Sequence, residues 1–307
     1  MEKIKIIANS TVSNVGCGFD VLGFATEIVS DEMILSKNNL EEIRITKVEG
    51  FGPVPSDPRK NAVGAALSAL LSKVESRQGF DIKINKKIMP GSGLGSSAAS
   101  SSAAVVGANH LLGNPFDKLD LVEFAMEGEK SISGALHADN VAPAIFGGIT
   151  LIRGYNPVDV IDIPVPEELF CVILHPQIEI KTADARNILA KQVDLKVAVK
   201  QWGNVAGLIT GFYKSDYELI SRSVIDHIIE PQRSVLIKGY DGLKKSAIDA
   251  GALGCNISGS GPSVFALAKG HESAQKIKEA MELQYSSEGI KFNTYLSKIV
   301  NNGVSII

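Results

Sequence analysis

The chain has 307 residues, 45% of them hydrophobic and 21% charged, with a formal net charge of −3. That length suffices for a buried core and, by the usual size of a domain, for about two domains. A near-neutral balance without a lysine–arginine cluster argues against nucleic acid as a partner, and no apolar run is long enough to suggest a membrane span. Cys17, Cys171 and Cys255 are far apart and odd in number, forming neither a disulfide framework nor a metal pair, so a reducing, cytoplasmic setting is expected. The opening Met1-Glu2-Lys3-Ile4-Lys5-Ile6-Ile7 reads as a first strand rather than a signal peptide.

In chain order, residues 4–8 read as a strand leading into the polar, glycine-bearing stretch from Asn9 to Asp20, which on its residues alone is a hairpin loop. Strands are expected over 21–36 and 43–48, the second ending at Gly50-Phe51-Gly52-Pro53. A helix is expected over 58–79, with Ala62, Ala66, Ala69, Leu70 and Val74 on one face and Asn61 placed to cap it. Phe80, Ile82 and Ile84 alternate with Asp81, Lys83 and Asn85, the pattern of a half-buried strand ending near Ile88.

Next comes Pro90-Gly91-Ser92-Gly93-Leu94-Gly95-Ser96-Ser97-Ala98-Ala99. Alternate glycines let a backbone approach a ligand, and the helix expected over 97–112, capped by Ser96 or Ser97, would turn free amides and its dipole toward an anion. The stretch is not a Walker loop, because no lysine follows Gly95, and it does not complete the dinucleotide fingerprint. A flexible linker is the alternative, against which the apolar patterns on both sides argue.

A helix over 116–130 carries Glu123, Glu127 and Glu129 near its C-terminal end, where carboxylates oppose the dipole, although a helix glutamate is ordinarily a solvated one. His137 and Asp139, two apart, suit either a metal pair or a hydrogen-bonded turn. Strands over 149–152 and 158–165 lead to a boundary near Pro164-Val165-Pro166, dividing the chain into 1–165 and 166–307. Beyond it, 170–174 reads as a buried strand with His175 at its end, and 181–189 as a helix start capped by Thr182. Residues 194–214 read as a helix with Trp202 and Leu208 in the core, and 234–250 as another helix. A strand over 252–257, the turn from Ser258 to Ser263 into Val264, a helix over 272–283 and strands over 292–296 and 304–307 complete the chain.

The loop with Leu94 between its glycines and Ser96-Ser97-Ala98-Ala99 behind it resembles the second motif of the GHMP small-molecule kinases. Asn14 with Gly16-Cys17-Gly18-Phe19-Asp20 resembles their first, although Asn9 and Val15 stand where proline and leucine are common. Ser258-Gly259-Ser260-Gly261-Pro262-Ser263 resembles the third, a glycine loop closing over the active site. His137-Ala138-Asp139-Asn140-Val141-Ala142-Pro143-Ala144, followed by Ile145-Phe146-Gly147-Gly148, is similar to the homoserine kinase branch of that family. These matches fall in one order over essentially the whole chain. Pro90 lies adjacent to Gly91 rather than two positions before it, a departure from which no loss of function is expected.

The resemblance implies an α+β fold of two domains. Residues 1–165 would form a ribosomal protein S5 domain 2-like N-terminal domain that binds ATP, and 166–307 a ferredoxin-like C-terminal domain, with the site in the cleft between them. It implies ATP-dependent phosphorylation of the side-chain hydroxyl of L-homoserine to O-phospho-L-homoserine, on the route to threonine. Asn61, Met89, Pro90, Gly91, Ser92, Gly93, Leu94, Gly95, Ser96, Ser97, Ala98 and Ala99 would bind ATP, Asn61 being on its residues equally a helix cap. Ser97 and Glu129 would hold Mg²⁺. Asn14, Asp20, His137, Asn140, Thr182, Arg186 and Arg233 would bind the amino acid, with Arg186 on its carboxylate and Asp20 on its ammonium group; without the resemblance both arginines read as surface residues. Asn140 would stand beside the accepting hydroxyl, and Asp139 is the candidate base for a transfer expected to need none. The partners implied are these small molecules, with a homodimer left open. A GHMP kinase for a sugar or an isoprenoid alcohol would need neither Arg186 nor an ammonium partner at Asp20, and a non-catalytic relative would show an eroded phosphate loop.

Overall fold

The computed structural model describes residues 2–52, 54–74 and 78–307. The expected strand end at Pro53 and the expected helix beyond Val74, over 75–77, fall outside the described residues, as does Met1. In chain order the elements are β1 (Lys3–Val15), β2 (Gly18–Asn38), β3 (Ile43–Gly50), α1 (Ala62–Leu71), β4 (Gly79–Lys86), α2 (Ser96–Leu111), α3 (Lys118–Ser133), α4 (Val141–Phe146), β5 (Ile149–Tyr155) and β6 (Val158–Ile163). There follow β7 (Leu169–Pro176), α5 (Thr182–Asn187), α6 (Leu195–Lys214), α7 (Tyr217–Ser223), α8 (Glu230–Arg233), α9 (Tyr240–Asp249), β8 (Gly254–Ile257), β9 (Val264–Lys269), α10 (His271–Ser286), β10 (Phe292–Lys298) and β11 (Ser305–Ile306).

Two sheets carry the fold. One has seven strands, ordered β11-β1-β2-β4-β3, with β5 paired to β2 and β6 to β5. The other has four antiparallel strands ordered β10-β7-β9-β8. Numbered within that sheet the order is 4-1-3-2, the ferredoxin-like arrangement, with α10 between its third and fourth strands. The last residues return to the first sheet: Ile306 pairs with Ile6, and Val304 N–H donates to Ala144 O at 2.8 Å.

β7 explains why 169–176 is apolar without alternation. Leu169, Cys171 and Ile173 belong to the core shared with the first sheet, while Phe170, Val172 and Leu174 belong to the core under α9 and α10. A strand buried on both faces has no polar face to show. α2 is built of small residues for the opposite reason. Its Gly107 lies so close to β1 that a Cβ there would meet Ile6 Cδ1 at 2.2 Å.

The structure corrects several expectations. β1 runs through Val15, so the stretch after Ala8 is strand up to the tight turn at Gly16-Cys17. Residues 58–60 form a separate 3₁₀ turn, and α1 starts only after Asn61, whose extended backbone and side-chain bond to Val63 N–H cap it. Helix does not run from 234 to 250, because Gly239, at φ 74°, separates a 3₁₀ turn from α9. Leu208 is buried, but Trp202 is 61% exposed. Its helix packs inward through Gln201, Leu208 and Phe212, which lie on another face.

Candidate active site

β4 and α2 are joined by the glycine loop, in which Gly91, Gly93 and Gly95 all have positive φ, at 70°, 82° and 67°. Two of these glycines are required by what lies against them. A Cβ at Gly93 would meet Ser258 O at 2.4 Å, and one at Gly95 would meet Thr11 Oγ1 at 2.0 Å and Asn140 Oδ1 at 3.0 Å. Gly95 itself is the N-cap of α2 and supplies no side-chain bond, so neither Ser96 nor Ser97 caps the helix. Ser96 Oγ donates to Ile88 O at 2.8 Å, and Ser97 Oγ to Glu129 Oε2 at 3.1 Å. The first amides of α2 therefore have no side-chain acceptor, which suits an anion.

The glycine loop is bonded both to β1 and directly to the third motif segment, which β1 also holds. Thr11 N–H donates to Leu94 O at 3.2 Å, Gly259 N–H to Ser13 O at 3.0 Å, and Ser258 Oγ to Gly93 O at 2.6 Å. Asn14 and Asp20 have φ of 57° and 59°, left-handed values that non-glycine residues rarely adopt and that collect at functional sites. Asn14 holds that geometry by accepting from Asp20 N–H at 2.8 Å, while its Nδ2 donates to Gly259 O at 2.9 Å. Its amide thus serves first to close the hairpin and fix the third motif.

Opposite the loop is a charged cluster. Asp20 Oδ2 accepts from Arg186 Nη2, and Asp20 Oδ1 lies 3.5 Å from His137 Nδ1. Arg186 Nη1 donates to His137 Nε2 at 2.6 Å. Because guanidinium can only donate, the histidine is neutral with its proton on Nδ1 toward Asp20; burial, outweighing the Asp20 charge, lowers its pKa accordingly. Arg233 is 3% exposed and donates to Ala185 O at 2.9 Å and Gly259 O at 3.0 Å, with its guanidinium 5.0 Å from the centre of the Phe19 ring. Thr182 is the first residue of α5 rather than its cap, and its hydroxyl lies 3.4 Å from Ser260 Oγ.

At the cleft floor, Asn140 has both ends of its amide engaged: Oδ1 accepts from Thr11 Oγ1 at 2.7 Å and Nδ2 donates to Ser13 Oγ at 2.8 Å. Burial, reinforced by the Asp20 charge, pushes the Asp139 carboxyl up to about 7. Burial likewise pushes Glu129 up to about 7, against the opposing pull of the Ser97 hydroxyl and the Lys86 charge. Asn61 caps α1 and also lines the cleft. His175 lies elsewhere, its Nδ1 3.0 Å from Ser263 Oγ and its pKa lowered by burial to about 4, and it is a neutral structural residue.

One cavity of about 700 Å³ is lined by residues of the glycine loop with Ser97, Glu129 and Asn61, and by Asn14, Asp20, His137, Asp139, Asn140, Thr182, Arg186 and Arg233. Leu94, Ala98 and Ala99 are not brought to it; their side chains are in the core, so only their backbone serves the loop. Sequence reasoning missed Thr11, Ser13, Asp31, Lys86 and Ser100. Lys86 did leave a signal, since it falls on the buried register of Phe80, Ile82 and Ile84. A second cavity of about 560 Å³, between α2, α3 and residues 301–306, is lined by none of the candidate substrate, ATP or metal residues.

Comparison with known proteins finds matches along the whole chain. The family model for the GHMP kinases N terminal domain matches residues 61–148, and that for the GHMP kinases C terminal matches residues 208–287. A homoserine kinase of Chlorobium phaeobacteroides (strain BS1) is 43% identical over 320 aligned positions, covering 100% of both chains. The crystal structure of homoserine kinase from Cytophaga hutchinsonii superposes with a TM-score of 0.96 at 50% identity, covering 100% of this chain and 98% of that one. The mevalonate kinase of L. major, in complex with R-mevalonate, has a TM-score of 0.71 at 18% identity over 96% of each chain, a likeness of fold alone.

Proposed function

The chain belongs to the homoserine kinases of the GHMP kinase family, and we propose that its cleft moves the γ-phosphoryl group of ATP to the side-chain hydroxyl of L-homoserine. The product is O-phospho-L-homoserine, an intermediate on the route to threonine. The observation that carries this reading is one cavity lined both by the glycine loop at the start of α2 and by the Asp20–His137–Arg186 cluster.

The glycine loop and the start of α2 bind and orient the triphosphate through backbone amides, and Asn61 stands on the nucleotide side. On the facing wall the homoserine carboxylate takes the Arg186 fork and its ammonium group takes Asp20, with Arg233, His137, Thr182 and Asn14 completing the pocket. Asn140 directs the hydroxyl toward the phosphoryl group. Holding both reactants in line can remove on the order of 7–11 kcal/mol of a bimolecular barrier at best. We assign no obligatory base, since the hydroxyl oxygen can attack a loose phosphoryl group while Asn140 holds it, with Asp139 alongside.

Ser97 and Glu129 suit Mg²⁺. Their oxygens are adjacent and hard, and they are few, as expected for a cation that arrives with its phosphates and waters. Among the described residues no cluster of three or more histidine, cysteine, aspartate or glutamate side chains is placed to hold a metal by itself. When bound, Mg²⁺ would offset charge on the phosphate oxygens as it shifts to the leaving group.

No helix of the described residues is long and apolar enough to cross a membrane, and three buried free cysteines suit a reducing cytoplasm. For the exposed stripe of α6 we propose a second copy of the chain as occupant. Leu195, Val199, Trp202 and Tyr213 are its exposed large apolar side chains, the first three at the steps of four and three of a coiled-coil seam. As units of the chain we retain 1–165 and 166–307, with the C-terminal residues pinned to the first.

The test is ADP release with Mg-ATP and a panel of L-homoserine, L-threonine, galactose and mevalonate. Turnover on homoserine alone is expected. Turnover on galactose or mevalonate in preference would sink the reading.

A further inference from the structure

Thr11 stands where the two walls of the cleft meet. It is fully buried on β1. Its backbone N–H donates to Leu94 O in the glycine loop at 3.2 Å, and its hydroxyl donates to Asn140 Oδ1 at 2.7 Å. Gly95 presses on both partners, since a Cβ there would lie 2.0 Å from Thr11 Oγ1 and 3.0 Å from Asn140 Oδ1. One residue thus grips the phosphate side through its backbone and the acceptor side through its side chain.

The bonds around Asn140 also have a direction. Ser13 Oγ accepts from Asn140 Nδ2 at 2.8 Å, so the amide turns its nitrogen to Ser13 and its oxygen to Thr11. Thr11 then meets the amide oxygen and must donate. An amide offers two N–H groups and two lone pairs, so one of each remains to meet a ligand. With the Thr11 hydroxyl removed, nothing on that side distinguishes the amide oxygen from its nitrogen.

We propose that Thr11 is a positioning residue for phosphoryl transfer, fixing both the orientation of the Asn140 amide and its separation from the phosphate loop. The proposal rests on the role given to Asn140 above. Substrate affinity is not its target, because Thr11 is fully buried, does not line the cavity and has no side-chain bond to the Arg186 cluster. What it governs is alignment, where a displacement of about 1 Å costs on the order of 100-fold in rate.

Four variants test this: Thr11→Val, which keeps shape and backbone N–H but loses the hydroxyl, Thr11→Ser, which keeps the hydroxyl, Asn140→Ala, and the double variant Thr11→Val/Asn140→Ala. Both ADP and phosphohomoserine are measured. Thr11→Val is expected to lower kcat about 10- to 100-fold with both KM values within about threefold of the parent, the signature of an interaction realised at the transition state. The share of ADP formed without phosphohomoserine rises, because water competes for a misaligned phosphoryl group. Thr11→Ser restores rate and coupling, and Thr11→Val adds nothing in the Asn140→Ala background. Parental kcat and coupling in Thr11→Val beside an impaired Asn140→Ala overturn the Thr11 role alone. Parental turnover in Asn140→Ala instead overturns the reading of Asn140. If Thr11→Val does not fold, Thr11→Ala is read in the same assays, and a kcat loss without loss of coupling counts against the proposal.

Discussion

Asp31 and Lys86 face each other across β2 and β4, one step beyond the paired residues Glu32 and Asn85, and each side chain is only 3% exposed. Lys86 Nζ bonds to Asp31 Oδ2, to Ser96 O at 2.7 Å and to Ser100 Oγ at 2.9 Å. Asp31 Oδ1 accepts from Lys87 N–H at 2.8 Å and Ile88 N–H at 2.9 Å. The pair therefore ties the end of β4 to the first turn of α2, on either side of the phosphate loop. Burial pulls the Lys86 pKa down while the Asp31 charge opposes it, so the ammonium group depends on its partner.

Lys86→Met leaves Asp31 buried without its counter-charge, and a loss of about 3–5 kcal/mol in urea unfolding is expected. Asp31→Asn should cost a similar amount, and the double variant less than the sum, because the stranded charge is gone. ATP affinity should fall with the loop anchor. A Lys86→Met protein as stable as the parent would show that the pair contributes nothing.

Arg186→Ala removes the fork and frees Asp20 and His137. Hydrogen bonds to charged groups are worth about 1.5–3 kcal/mol each, so the homoserine KM should rise about 10- to 150-fold. The ATP KM should hardly move, since the hydrogen bonds of Arg186 go to Asp20 and His137 rather than to the glycine loop. Steady-state kinetics with each substrate varied in turn decide this. An equal rise in both KM values would place the arginine in the wrong role.

How far the residues disclosed this arrangement depends on the range of the interaction. Alternation exposed most strands, and the glycine loop and His137–Ala144 drew attention because their chemistry is local. Pattern alone does not single out Lys86, although it continues the buried register of β4, or Asp31, although it precedes buried Met33 and Leu35 at the same spacing. Both break the apolar rule that the pattern relies on, and only the pairing of β2 with β4 explains them. The bond from Thr11 to Asn140 spans 129 positions, and no spacing rule reaches that far. Spacing places Trp202 in the core because α6 carries apolar residues around much of its circumference, of which Leu208 and Phe212 are the fully buried ones.

The outer face of α6 yields a prediction of its own. Leu195, Val199, Trp202 and Tyr213 are 68%, 54%, 61% and 56% exposed, more clustered apolar surface than a lone helix ordinarily shows to water. Sedimentation should give a dimer for the parent and a monomer for Trp202→Glu. A parent that sediments as a monomer at tens of micromolar would remove the second copy as the occupant.

Asp139→Asn separates two roles of a buried carboxyl. The group titrates at about 7 in the folded chain, raised first by burial and then by Asp20, against about 4 for an ordinary aspartate. Between those values the folded state holds a proton that the unfolded chain has lost. The stability this provides is complete below about pH 4 and is lost as pH rises through about 7. The neutral amide carries no such penalty, so the variant should melt above the parent at pH 8, with the gap closing toward pH 4. Turnover should survive within about tenfold if Asn140 orients the hydroxyl without a base, since general-base catalysis is typically worth 10²–10⁴-fold. A variant that melts higher, binds both substrates normally and has lost nearly all turnover would instead make Asp139 the base, with its proton affinity near neutrality as the reason it can serve.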